Sequence, residues 1–149
     1  MFTKQKFTDW NLDSSILSGL EELGWEYATQ VQKDTIPIAR KGIDVIGQAR
    51  TGSGKTGAFG IPIIESCQPT GKLQALILAP TRELANQVSN EITNIGGKSG
   101  LKIITVYGGT DLEKQARQLN DGVDIIVGTP GRVMAVSYTH LTLPTTLVV

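Results

Sequence analysis

The sequence predicts an α/β domain with a mostly parallel sheet and flanking helices. Three observations predict it. Short apolar runs recur at residues 45–46, 76–78 and 125–127. Segments of helical period lie between them, the clearest being "TRELANQVSNEITNI", which puts Leu84, Val88, Ile92 and Ile95 on one stripe. Each apolar run leads into a polar or glycine-rich stretch, and parallel sheets bind ligands beyond the carboxyl ends of their strands.

The elements follow in order. "DSSILSGLEELG" reads as a helix with Ile16, Leu17, Leu20 and Leu23 on one face and Gly24 to end it. "TQVQKDTIPIAR" reads as a second helix with Thr29 at the N-cap. "DVIGQA" is a brief strand before a glycine-rich turn. "GKTGAFGIPIIES" starts helical, with Gly60 and Pro62 weakening its later part. Then come strand "LQALILAP", helix "TRELANQVSNEITNI", strand "LKIITVYGG", helix "DLEKQARQLN" and strand "VDIIVGTP".

A chain of 149 residues is long enough for one domain with a real core. Lys and Arg number 14, as do Asp and Glu, so any nucleic-acid surface must be local rather than a general basic excess. The single cysteine, Cys67, allows no internal disulfide. "MFTKQKFTDW" has no signal-peptide run, and no stretch approaches the ~20 apolar residues of a membrane span. These features read as a cytoplasmic protein with no membrane partner.

"ARTGSGKT", residues 49–56, is the strongest chemical signal. Ala49, Arg50, Thr51, Gly52, Ser53 and Gly54 would wrap backbone amides around anionic oxygens, and the following helix adds its positive end. Lys55 would reach the β- and γ-phosphates, and the Thr56 hydroxyl would ligate Mg²⁺. These two are the candidate catalytic residues, and a triphosphate and Mg²⁺ the implied ligands. Ala49 departs from the strict pattern, which has glycine there. At about 6% per residue, five fixed positions of this kind arise by chance on the order of once per million sites. A plain connecting turn is the bland alternative.

Gln32 has two readings. "TQVQ" fits a capping box, in which Gln32 only satisfies a backbone amide. Its carboxamide can also donate and accept in parallel against a nucleobase. Trp25 can pack on the core or stack on a base.

Phe7, "GWEYATQVQ", "ARTGSGKT", "PTREL", "GG" and "TPGR" occur in one order. Over roughly residues 2–135 the chain resembles the N-terminal RecA-like P-loop domain of a DEAD-box ATP-dependent RNA helicase, with Ala28 and Val31 as mild departures. The resemblance implies that Gln32 reads the adenine edge, that Trp25 contacts the ring and that Phe7 supports the site. It also implies that single-stranded RNA lies along Pro80, Thr81, Arg82, Gly108, Gly109, Thr129, Pro130, Gly131 and Arg132. The chemistry agrees. Thr81 and Thr129 are placed to cap helices whose amides suit phosphates, and Arg82 and Arg132 can pair with phosphate oxygens. Such contacts position a backbone without reading bases, so the RNA partner is expected to bind independently of sequence. Taken singly, Arg82 reads more readily as a solvated first-turn charge and "TPGR" as a simple turn; together, each after a parallel strand, they argue for one nucleic-acid surface.

The family pattern next places a strand ending in Asp-Glu-Ala-Asp. Residues 133–149 contain no Asp, Glu, Lys or Arg. "VSYTHLTLPT", residues 136–145, matches the translation of a transposon-type sequencing adapter, GTC TCT TAT ACA CAT CTG ACG CTG CCG ACG. The expectation is therefore a partial ATP-binding domain over residues 1–135 and a non-native tail over 136–149, which leaves His140 without meaning. A β-rich natural tail is the competing idea, and a contiguous genomic read through codon 136 decides between them. The incomplete fragment alone is expected to be inactive. Two other functions stay open, a P-loop DNA helicase or translocase and a non-catalytic nucleotide- and RNA-binding module.

Overall fold

Helix α1, Ser14–Glu22, forms on the expected stripe, with Ile16 and Leu20 buried. Its end follows the glycine. Gly24 takes φ +75°, its N–H reaches the Glu21 carbonyl, and the Trp25 N–H reaches the Leu20 carbonyl. This is a Schellman closure, which a Cβ in the left-handed region would disfavour. It delivers Trp25 to a defined place immediately after the helix.

The computed structural model describes residues 2–41, 54–109, 112–137 and 146–148. The chain divides into two compact units, Met1–Ser66 with Asn94–Ser99, and Cys67–Thr93 with Gly100–Val149. The strand expected at "DVIGQA" lies outside the described residues.

In the first unit, β1 (Phe2–Lys6) pairs antiparallel with β2 (Tyr27–Thr29), Phe2 opposite Thr29 and Lys6 opposite Tyr27. A 3₁₀ turn over Phe7–Trp10 follows β1 and buries Phe7. Helix α2 spans Gln30–Arg40 and α3 spans Lys55–Ser66. Pro62 was expected to weaken α3, yet the helix runs through it. Ala58, Gly60, Ile61, Pro62 and Ile64 are all buried there, and tertiary packing outweighs a propensity penalty of ~3 kcal/mol for an interior proline. Arg40 joins the two helices: its Nε lies 2.9 Å from Glu65 Oε1, and its Nη1 donates to the Trp10 carbonyl at 2.6 Å. Burial raises the Glu65 carboxyl above its ordinary pKa by more than the Arg40 guanidinium lowers it. α1 packs tightly on the last turn of the long helix α4 (Arg82–Gly96), where a Cβ on Gly19 would meet the Asn94 carbonyl oxygen at 2.5 Å.

In the second unit, β3 (Ala75–Leu78), β4 (Ile103–Val106), β5 (Ile125–Gly128) and β6 (Thr146–Val148) form a parallel sheet in the order β4-β5-β3-β6. Helices α4, α5 (Leu112–Asn120) and α6 (Pro130–Ser137) connect them or follow them in the chain. β5 is central and buried at every residue, as its continuous apolar run requires. Leu76, Ile104, Val106, Val123, Ile126 and Val133 make the core. Each buried Ile, Leu or Val there contributes about 1.5–3 kcal/mol. β6 comes from the stretch expected to be non-native, and it pairs Leu76 with Thr146 and Leu78 with Val148.

Leu78, Gly128 and Val106 share one row of the sheet, so the chain leaves β3, β5 and β4 at the same edge. Gly128 must be glycine for this packing, because a Cβ there would lie 2.6 Å from the Val106 carbonyl oxygen and from Val133 Cγ2. At the opposite edge a buried carboxylate, Asp124, closes the loops. Its Oδ1 accepts from the amides of Thr70 (3.2 Å) and Gly71 (2.8 Å) and its Oδ2 from Lys102 (2.8 Å).

Candidate functional site

The phosphate-loop residues Ala49, Arg50, Thr51, Gly52 and Ser53 lie outside the described residues, as does His140. Gly54, Lys55 and Thr56 lie within them, at the start of α3. The first turn of any helix leaves amide donors without intrahelical acceptors. Here the Ala58 N–H closes on the Gly54 carbonyl at 3.1 Å, which leaves the amides of Lys55, Thr56 and Gly57 at the open N-terminal end. With the Lys55 ammonium and Thr56 hydroxyl on that turn, these residues fit a polyphosphate and its divalent cation.

Gln32 binds this turn directly. The capping box expected from "TQVQ" is present: the Gln32 amide donates to Thr29 Oγ1 at 3.4 Å, and Gln32 Oε1 accepts from the Thr29 amide at 2.9 Å. The other end of the carboxamide, Nε2, donates to the Gly54 carbonyl at 3.1 Å. Gln32 is 2% exposed, so this orientation is held by packing and by two bonds. A carboxamide has two acceptor sites and two donor hydrogens. Among the described residues one of each is used, by the Thr29 amide and the Gly54 carbonyl. The cap and a base contact are therefore compatible in one side chain.

Backbone shape enforces the arrangement. Gly54 takes φ +88°, and a Cβ there would sit 2.6 Å from Gln32 Nε2 and 2.7 Å from Thr29 Oγ1. A Cβ on Gly57 would sit 2.8 Å from Trp25 Cζ3. The indole thus lies against the first turn of α3. Phe7 stacks on Trp25 with ring centroids 6.2 Å apart and meets Trp10 edge-on at 5.7 Å. Phe7, Trp25, Gln32 and Gly54 form one contact group through these rings and bonds.

The second group lies on the other unit, at the edge where β3, β4 and β5 end. Thr81 Oγ1 accepts the Leu84 amide at 3.2 Å and caps α4. Pro80, Thr81 and Arg82 are exposed. The Arg82 guanidinium lies 4.7 Å over the Tyr107 ring, which holds its planar face without removing its charge. Gly109 takes φ +85° and Gly108 has open space where a Cβ would stand, so only the second of the pair needs glycine for its backbone. "TPGR" is not a simple turn: Pro130 opens α6, and the Thr129 carbonyl accepts the Val133 amide at 3.0 Å. Gly131 is exposed and Arg132 half-buried on that helix.

Two residues absent from the sequence reading belong here. Tyr107 carries Arg82, and Gln115 accepts from Arg132 Nη1 at 3.1 Å. An aromatic immediately before "GG" was the available signal for the first, while a lone glutamine on a polar helix offered none. Among the described residues no group of three His, Cys, Asp or Glu could hold a metal ion, and no helix is long and apolar enough to cross a membrane.

Known proteins place the chain. The DEAD/DEAH box helicase family model matches residues 29–149. The chain is 48% identical over 129 residues to the DEAD-box ATP-dependent RNA helicase CshA of Bacillus subtilis, covering 86% of this chain and 26% of that protein. It is 46% identical over 130 residues to the ATP-dependent RNA helicase CshA of Listeria monocytogenes, covering 87% and 25%. The crystal structure of a DEAD box protein from the hyperthermophile Methanococcus jannaschii superposes with a TM-score of 0.82 at 41% identity, over 87% of this chain and 36% of that one. A hypothetical ATP-dependent RNA helicase from Sulfolobus tokodaii gives 0.75 at 39% identity, over 83% and 36%. The chain spans about a quarter of the length of the curated relatives it matches.

Proposed function

The chain belongs to the DEAD/DEAH box helicase family, and from that premise we propose that it is the nucleotide-binding and part of the RNA-binding portion of an ATP-dependent RNA helicase. The observation that carries this reading is the bond from Gln32 to the Gly54 carbonyl, which ties a base-reading carboxamide to the phosphate loop. ATP takes its adenine against Gln32 and Trp25, with Phe7 behind the indole. Its phosphates lie on the α3 amides and Lys55. Thr56 holds Mg²⁺, which when bound neutralises charge on the phosphate oxygens.

RNA lies along Pro80–Arg82, Gly108–Gly109 and Thr129–Arg132, gripped through its backbone and without base preference. Residues 133–149 hold no carboxylate. The acidic pair that the family uses to hold Mg²⁺ and activate water has no counterpart among those residues. The 149 residues alone bind rather than hydrolyse or unwind. The test is ATP turnover by the complete protein with single-stranded RNA or DNA of one sequence. RNA is expected to stimulate turnover at least about tenfold and DNA little, because a site that uses the 2′-hydroxyl separates the two. Equal stimulation by DNA moves the assignment to a DNA translocase, and none by either to a non-catalytic module.

A further inference from the structure

We propose that Arg40 is a positioning residue for adenine recognition: it holds the turn that carries Phe7, and through Phe7 it fixes the indole of Trp25 against which the base lies. The inference rests on the ATP-binding reading above. Phe7 and Trp10 stand at the two ends of one 3₁₀ turn. A turn of four residues has few hydrogen bonds of its own, so its place depends on anchors from outside. Two anchors are present. The Phe7 N–H donates to the Glu26 carbonyl at 3.2 Å, and Arg40 Nη1 donates to the Trp10 carbonyl at 2.6 Å. The last carbonyls of a helical turn lack intrahelical donors, and a cation suits that end. The chain reverses directly after Trp10, where Asn11 takes φ +58°, the one residue other than glycine in the left-handed region among those described.

Arg40 is itself held from the far end of the phosphate-binding helix. Its Nε lies 2.9 Å from Oε1 of Glu65, on the last turn of α3. The first turn of the same helix carries Lys55 and Thr56 and lies against Trp25 at Gly57. The contacts therefore close a ring: from Glu65 through Arg40 to the Trp10 turn, from Phe7 to Trp25, and back to α3. Phe7 is 2% exposed, so it acts on a base only through the indole on which it stacks. The chemistry explains why the residue is arginine. A planar guanidinium offers Nε and Nη1 in fixed directions and serves a carboxylate and a carbonyl together, whereas an ammonium is a single point on a flexible stem. An indole fixed before the nucleotide arrives spares the cost of ordering it on binding.

The test titrates the complete protein with Mg-ATP and with Mg-tripolyphosphate, which has the phosphates and no base. Arg40→Met keeps an aliphatic stem and removes the fork. It is expected to weaken Mg-ATP about fivefold, the scale of one side chain that must be ordered on binding, and to leave Mg-tripolyphosphate within about 1.5-fold. Arg40→Lys keeps the charge beside Glu65 without the fork and is expected to weaken Mg-ATP about threefold, again with Mg-tripolyphosphate unmoved. It carries the comparison if Arg40→Met does not fold. In a Phe7→Leu background Arg40→Met is expected to weaken Mg-ATP no further, since the two residues act as one unit. A purely structural arginine gives the opposite pattern: equal losses for the two ligands, and an undiminished loss in the Phe7→Leu background. Either result, or unchanged Mg-ATP affinity, overturns the inference while leaving the ATP-binding reading intact. Equal affinity of the unsubstituted protein for Mg-ATP and Mg-GTP overturns both.

Discussion

Lys55→Ala in the complete protein is expected to lower RNA-stimulated ATP turnover by a factor of about 10²–10³, the usual effect of removing one preorganised group at a developing charge. Lys55 is the first residue of α3, so its ammonium adds to a helix end that already attracts anions. Its removal leaves the turn's amides and the Gln32 bond to Gly54 in place. RNA affinity in the absence of nucleotide is expected to stay within about twofold, because Arg82, Tyr107, Gln115 and Arg132 all belong to the other compact unit. Paired ATPase and RNA-binding assays check both halves. Turnover that survives the substitution would show that Lys55 does not face the phosphates. RNA affinity that collapses with it would show that the two groups of residues do not divide the work as assigned.

Asp124→Ala is expected to destabilise the protein by about 3 kcal/mol, read from denaturant unfolding. Asp124 is 2% exposed, and its carboxylate accepts three backbone amides from two separate loops, together with Gln74 Nε2 at 3.3 Å. Losing it strands those donors, each worth about 1–3 kcal/mol when buried without a partner. Thr70 and Gly71 are exposed, so water satisfies part of that deficit and the total stays near the lower end of the sum. By contrast the Arg40–Glu65 pair, with side chains 30% and 19% exposed, is screened and contributes less than the Asp124 network. A loss below about 1 kcal/mol on Asp124→Ala would mean that the loops hold themselves without the carboxylate.

The parts of the fold that the sequence made legible are those in which local chemistry and global packing agree. Gly24 after an apolar stripe ends α1 by a Schellman closure. "TQVQ" forms the capping box that its spacing requires. The α4 stripe buries Val88, Ile92 and Ile95. The apolar runs of β3 and β5 lie inside a parallel sheet. Elsewhere tertiary context decides. α3 persists through Gly60 and Pro62 because its apolar face is buried. β1 carries a polar "FTKQK" with no apolar alternation, so nothing in its own residues announces a strand, and its partner β2 is only three residues long.

The functional residues divide in the same way. The motif residues that fall within the described chain come together as two groups, one around Gln32 and Gly54 and one around the ends of β3, β4 and β5. Gln115 and Asp124 were not legible, because a buried polar side chain is defined by what surrounds it. Gln32 shows why a choice between cap and base contact is too narrow. Its carboxamide satisfies the helix end and grips the residue that opens α3, and among the described residues these bonds use one acceptor site and one donor hydrogen.

The most direct measurement of the central claim is a calorimetric titration of the complete protein with Mg-ATP and, separately, Mg-GTP. On the proposed reading the carboxamide of Gln32 meets one purine edge, and a bidentate base contact is worth about 1–3 kcal/mol of discrimination. The expected result is saturable Mg-ATP binding with a Kd below about 1 mM and Mg-GTP at least about tenfold weaker. No heat of binding at about 10 mM Mg-ATP, a concentration well above any such Kd, or equal affinity for the two nucleotides would contradict the account.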